Sequence, residues 1–306
     1  MKKIILFTLM LIGIPTLIVT LIRPQEKDIK EKLYTFEKNT KVRVKRVNDN
    51  RIDTIPLEQY LVGVLSGEMP VSYEIEALKA QAVAARTYTL KKMETNKNNV
   101  FDLVDNTNDQ VYLDDDKIRN NWGQNYEKYI KKIKQAVNET SGEYLTYDGK
   151  IIKAFFFSTS SGKTENCKDV FGENLPYLVS VSSIWDEKSP SYLDKKIYTK
   201  EEFYQKLNLP FNDNLDIEIK RNETNSINTI TINNNEMKGT DFRYELDLKS
   251  TNIDINEVDN KIEIISKGFG HGVGLSQYGA QEMALKGYKY DEILKYYYQG
   301  TEFKKI

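Results

Sequence analysis

The chain holds one cysteine and one histidine in 306 residues. One cysteine excludes an intrachain disulfide, and one histidine excludes His-rich metal sites, including the two-histidine zinc motif H-E-x-x-H. Charge of one sign is also lacking. The 44 Lys+Arg against 45 Asp+Glu leave a net charge of −1, so there is no basic excess to hold a nucleic-acid backbone. What is present fits a globular protein: 40% hydrophobic and 29% charged residues are not the composition of a disordered chain. The length suits one or two domains at about 150 residues each. The 20 Tyr and 12 Phe supply flat apolar surfaces, most of which belong in a core.

Lys2 and Lys3 precede an uncharged apolar run from Ile4 to Ile22, interrupted by Gly13 and Pro15. About 20 such residues cross a bilayer as a helix, and no A-x-A-like cleavage site follows. Residues 1–23 therefore read as an uncleaved single-pass anchor and 24–40 as a charged linker. Arg23, Lys27 and Lys30 compete with Lys2 and Lys3 for the cytoplasmic side. Long domains cross largely regardless of charge, so residues 41–306 are expected outside the cytoplasm as one domain.

Along that domain, Lys41–Val47 alternates as a half-buried strand does. Pro56 suits the first position of a helix whose apolar face is Leu57, Leu61, Val64 and Leu65, and Pro70 ends it. Ser72 is a plausible N-cap for a second, alanine-rich helix reaching about Met93. Trp122–Val137 reads as an amphipathic helix. Asp148-Gly149 between Glu143–Tyr147 and Lys150–Phe157 predicts a hairpin. Several strands split by Asn-rich turns predict a β-rich lobe over about 200–265. The fold class is α+β, since helices and hairpins are interspersed without repeating β–α units: one compact exported body with a helix pair, hairpins and that lobe.

Glu68 sits at the break between the two apolar helices, where it is either a surface residue beside a turn or an acid held rigidly at a cleft. Lys79 and Arg86, seven residues apart, share a helix face; they form a solvated face or line a polar groove. His271 lies in Gly268–Gly279, whose glycines permit positive φ and close approach to a ligand, but the spacing fits no phosphate-binding motif. Cys167 with His271 is a conceivable nucleophile pair, although nothing local activates the thiol. One Cys and one His are too few for a protein-bound zinc.

Six segments, in this order, resemble the SpoIID/LytB family: Leu57–Val64 (LEQYLVGV), Gly67–Pro70 (GEMP), Glu76–Tyr88 (EALKAQAVAARTY), Phe157–Asn166 (FSTSSGKTEN), Pro176–Leu178 (PYL) and Gly268–Ala280 (GFGHGVGLSQYGA). The resemblance spans roughly residues 40 to 303. It implies a lytic transglycosylase of sporulating bacteria, cutting the β-1,4 bond after N-acetylmuramic acid in denuded peptidoglycan and leaving 1,6-anhydro ends. It implies stage II sporulation proteins P and M as partners, and a place in the mother-cell membrane during engulfment. The family's catalytic glutamate falls on Glu68, and Lys79 and Arg86 match positions tied to activity. Tyr177 and Tyr278 are expected to meet sugar rings, and Ser158, Thr159, Ser160, His271 and Gln277 to line the groove. Some relatives bind zinc near the hairpin; here a frequent histidine position holds Phe157, so no metal is expected. Ser161 replaces the first glycine of a common Ser-Gly-Gly pattern. Two other readings stay open: a non-catalytic activator of a partner amidase, and a cell-wall peptidase using Cys167 and His271.

Overall fold

The computed structural model describes residues 39–306; the proposed anchor and nearly all of the linker lie outside them. Among the described residues no helix is long and apolar enough to cross a membrane. Strands β1 (Lys41–Lys45) and β2 (Ile52–Pro56) pair antiparallel, Lys41 facing Pro56. Helix α1 (Leu57–Glu68) follows directly, so Pro56 closes the strand and caps the helix instead of being its first residue. All four residues of the expected apolar face are buried. Helix α2 (Ile75–Thr95) starts after Glu74, not Ser72, and without a side-chain cap.

The alanines of α2 organise the core. Ala77, Ala80, Ala82, Ala84 and Ala85 are fully buried, and a helix apolar on most sides must be packed on most sides. Strand β3 (Leu103–Val104) then joins β1 in parallel. The expected helix over 122–137 forms as α4 (Tyr126–Glu139), preceded by a 3₁₀ turn and by a separate α3 (Asp115–Trp122) that ends at Gly123, whose φ is positive at 49°. The predicted hairpin exists as β4 (Glu143–Tyr147) and β5 (Lys150–Ile151), with Asp148 and Gly149 at positive φ. Its second strand is shorter than expected. The chain leaves β4 after Ile151 and forms β6 (Phe156–Phe157) with a different partner.

After α5 (Cys167–Phe171) and a 3₁₀ turn at Ile184–Lys188, the β-rich lobe begins earlier than the sequence suggests, at β7 (Leu193–Thr199). It continues through α6 (Lys200–Lys206), β8 (Ile217–Arg221), β9 (Ile227–Ile232), β10 (Asn235–Lys238), α7 (Gly239–Glu245), β11 (Ile253–Val258) and β12 (Lys261–Lys267). Two three-stranded sheets result, in orders β10-β9-β8 and β11-β12-β7. Lys267 at the end of β12 pairs with Leu193 at the start of β7. The lobe has its own core around Phe203, Ile230, Phe242 and Ile264. The chain then forms β13 (Leu275–Ser276), parallel to β6, then α8 (Gln277–Leu285) and α9 (Tyr290–Tyr297), and closes with β14 (Glu302–Lys305) on β4. Helix α2 packs against α1, α4, α8, α9 and β4.

Candidate functional site

Glu68 is the last residue of α1, and its surroundings follow from two glycines. Gly63 and Gly67 lie one turn apart on α1, facing the segment Val111–Leu113. A Cβ at Gly63 would sit 2.3 Å from the Tyr112 ring and 2.4 Å from the Leu113 carbonyl oxygen; at Gly67 it would sit 2.9 Å from Val111 Cγ1. Only bare backbone allows so close an approach. The approach delivers the Val111 N–H to Glu68 Oε1 at 2.6 Å. On the helix side, Tyr60 stacks on Tyr112 with centroids 5.2 Å apart, and Met69 is buried. Burial pushes the Glu68 carboxyl above its ordinary pKa, and the Val111 N–H holds part of that rise in check.

The opposite wall is the start of α8. The Gln277 amide faces Glu68 closely enough to draw its pKa down, although its Nε2 makes no hydrogen bond of normal geometry. Tyr278 donates its backbone N–H to the Ser158 carbonyl at 3.0 Å, and its ring meets the Tyr73 ring edge-on at 6.3 Å. Glu74 N–H donates to Gln281 Oε1 at 2.6 Å. Thus the turn after Glu68 is tied to the helix that carries Gln277.

Asp186, which the sequence did not single out, fixes this wall from behind. It is fully buried. Its Oδ2 accepts from the Ser160 N–H and from the Ser276 hydroxyl, both at 2.8 Å. Ser276 is the N-cap of α8, its Oγ accepting from Gly279 N at 3.1 Å. Burial raises the Asp186 pKa, and the serine bonds oppose that rise. One carboxylate therefore joins the Ser158–Gly162 loop to the helix start beside Glu68.

The remaining sequence-derived residues divide. Ser158, Gln277 and Tyr278 gather near Glu68 through the contacts above. Thr159 and Ser160 are buried in the loop, and Ser160 supplies the backbone that Asp186 holds. Arg86 is not a groove cation. It is wholly buried, its Nε and Nη2 donate to Glu58 at 2.9 and 2.6 Å, and its Nη1 donates to the Glu143 carbonyl at 3.1 Å. An arginine with its donors so engaged braces α2 against α1 and β4. Lys79 is ion-paired with Glu76 and Glu139, on the face turned to α4. Tyr177 does not present its ring to a sugar: it is buried, it packs on Tyr147 at 5.5 Å, and its hydroxyl accepts the Lys153 N–H.

His271 is committed elsewhere too. Although the residue is only half-buried, its ring is walled by Phe155, Phe157 and Phe171. Its Nδ1 accepts from Val273 N at 3.1 Å. Burial and the charge of Arg243 lower its pKa to about 4, partly opposed by its bond to the Phe156 backbone, so it is neutral near pH 7. Cys167 is buried and its thiol is pushed up to about 11, a protonated sulfur rather than a nucleophile. Among the described residues no group of three or more His, Cys, Asp or Glu is arranged to hold a metal ion. The site can therefore offer a proton from a buried carboxyl, flanked by an amide and tyrosines.

Gly63 and Gly67 stand in the sequence only as letters of the family segments, and Val111 in none of them. A signal existed: glycine inside a helix is unfavourable by about 1 kcal/mol against alanine, so two at one-turn spacing ask for a close neighbour.

A family model described as SpoIID, stage II sporulation protein, matches residues 45–147. The chain is 42% identical over 272 residues to stage II sporulation protein D of Bacillus amyloliquefaciens, covering 87% of this chain and 79% of the relative. It is 43% identical over 265 residues to stage II sporulation protein D of Bacillus subtilis (strain 168), covering 85% and 77%. It is also 30% identical over 297 residues to an amidase enhancer of Bacillus subtilis (strain 168), covering 79% of this chain and 40% of that protein.

Proposed function

The chain belongs to the SpoIID family of stage II sporulation proteins, and from that premise we propose that it is a lytic transglycosylase acting on denuded peptidoglycan strands. The observation that carries this reading is Glu68: a carboxyl raised in pKa by burial, at a rigid helix end, facing Gln277 and the tyrosines of α8 and the preceding turn. A proton donor at neutral pH needs that elevation.

Hydrolases of glycosides generally pair two carboxyl groups; this reaction needs one. Glu68 gives its proton to the glycosidic oxygen as the C1–O bond of N-acetylmuramic acid breaks through an oxocarbenium-like state. The C6 hydroxyl of the same sugar closes on C1, forming the 1,6-anhydro ring, and its proton passes to the Glu68 carboxylate. The acid is restored and no water is consumed. The Val111 N–H supports the carboxylate stage, and burial supports the protonated one. Substrate hydroxyls meet Ser158, Gln277 and Tyr278. In this reading the chain works outside the cytoplasm, tethered by the apolar run of residues 1–23 in the engulfing mother-cell membrane. Its partners there are stage II sporulation proteins P and M.

A second reading, a non-catalytic activator of a cell-wall amidase, is favoured by the relative named amidase enhancer. One digest separates them. Denuded strands treated with wild type should yield anhydro ends by mass spectrometry, and Glu68→Gln should lower the yield by roughly 10²–10⁴-fold. Intact strands with wild type, together with faster amidase turnover in a mixed assay, would establish the activator instead.

A further inference from the structure

A cleft of about 340 Å³ lies between α5 and the lobe, with Lys168 and Phe171 on one wall and Asn228, Thr229, Lys238 and Thr240 on the other. Three observations set it apart from an ordinary surface recess. Phe171 is 43% exposed, yet its ring is anchored on Phe155 at 4.9 Å and on His271 at 5.3 Å. It is a fixed aromatic plate with its remaining surface open.

That plate ends a row that begins beside the acid. Tyr88 is within electrostatic reach of Glu68 and lies 6.2 Å from Phe155. Exposure rises along the row from 8% at Tyr88 to 43% at Phe171. The cleft's cations are also unspent. Lys168 and Lys238 make no ion pair among the described residues. The carboxylates that line the same cleft are engaged: Glu165 accepts from Thr224, Ser226 and Asn222 at 2.6, 2.7 and 2.7 Å, and Asp169 accepts from Asn166 at 3.0 Å.

An apolar plate flanked by amide, hydroxyl and ammonium groups matches a pyranose bearing a carboxylate. The C–H face of the sugar lies on the ring, its hydroxyls meet Asn228, Thr229 and Thr240, and its carboxylate sits between the two lysines. We propose that this cleft is a distal saccharide subsite that holds the glycan strand away from the bond being cut, with a lactyl carboxylate bridging Lys168 and Lys238. The proposal rests on the reading of Glu68 as the acid that cuts glycan.

The test uses the full chain carrying Glu68→Gln, which is to bind without cutting, and compares its affinity for long denuded strands with that for a single disaccharide. The parent protein should prefer strands. Adding Phe171→Ala should shrink that preference by about five- to tenfold, the size of one lost aromatic contact, with disaccharide affinity unchanged. Adding Lys168→Gln with Lys238→Gln, two exposed positions that leave the core intact, should shrink it for native strands but not for carboxyl-reduced ones. A strand preference untouched in both variants overturns the subsite, as does equal loss for strand and disaccharide. Undiminished cutting by Glu68→Gln would instead sink the catalytic reading, while strand preference in the Phe171 and lysine variants would still report on the cleft.

Discussion

Gly67→Ala puts the close packing behind Glu68 under direct strain. Its new Cβ would stand 2.9 Å from Val111 Cγ1, 3.0 Å from the Val111 carbonyl oxygen and 3.3 Å from Leu113 Cγ. Two effects oppose each other. Alanine is the better helix former by about 1 kcal/mol, while overpacking a filled interior costs about 1–3 kcal/mol. The second wins because one obstructing atom is backbone and cannot rotate away. A net loss of up to about 2 kcal/mol is expected by urea denaturation. The chemical consequence is more specific. Relief of the clash carries Val111 away from α1 and lengthens its 2.6 Å bond to Glu68. That bond opposes the rise in pKa caused by burial, so loosening it raises the pKa further. The alkaline limb of the pH–rate profile for anhydro-end release should therefore move to higher pH. Gly63→Ala, with backbone oxygen only 2.4 Å from the added atom, should destabilise more severely. A Gly67→Ala protein that is more stable than wild type, with an unmoved alkaline limb, would refute the account of how Glu68 is held.

Four further outcomes are expected. Arg86→Met strands Glu58 and empties the donors to the Glu143 and Val137 carbonyls, so it should cost about 3 kcal/mol or more in urea melts while KM of the surviving folded fraction stays put. Glu68→Gln should gain stability relative to wild type as pH rises. The raised carboxyl favours the folded state below its unfolded pKa, and that benefit is lost as pH climbs through the folded value; denaturation series at several pH values read the difference. Asp186→Asn can keep both donors on its one carbonyl oxygen but removes the negative charge that strengthens those bonds, so kcat should fall about tenfold with little change in glycan affinity, as steady-state kinetics resolve. For His271 the sign reverses. Its folded pKa of about 4 lies below the ordinary 6.5 of a histidine, so unfolded chains bind the extra proton and stability should climb from about pH 4 to 6.5. His271→Gln should flatten that slope.

The helix pair and the acid at its break were legible because apolar spacing and Pro70 are local signals. What the sequence left hidden was non-local. Val111–Leu113 looks like loop, and only its fit against Gly63 and Gly67 gives it a role. Arg86 amid alanines reads the same whether it faces water or a buried Glu58; the three-dimensional partner decides. Phe156–Phe157 is strand-like in composition and continues the hairpin pattern, yet its hydrogen-bonding partner is Leu275–Ser276. The lobe's first strand carries no local signal, because β7 pairs with β12 far along the chain.

The pairing of Leu193 with Lys267 means that the chain departs for the lobe and returns from it at adjacent points. The lobe has a core of its own, and besides its two neighbouring connections it is fastened to the body by Glu165, which accepts from Asn222, Thr224 and Ser226. The register of β6 with β13, which precedes the helix facing Glu68, is set outside the lobe. On the reading proposed above, the length of strand held can thus vary with the lobe while the acid that cuts it stays with the body.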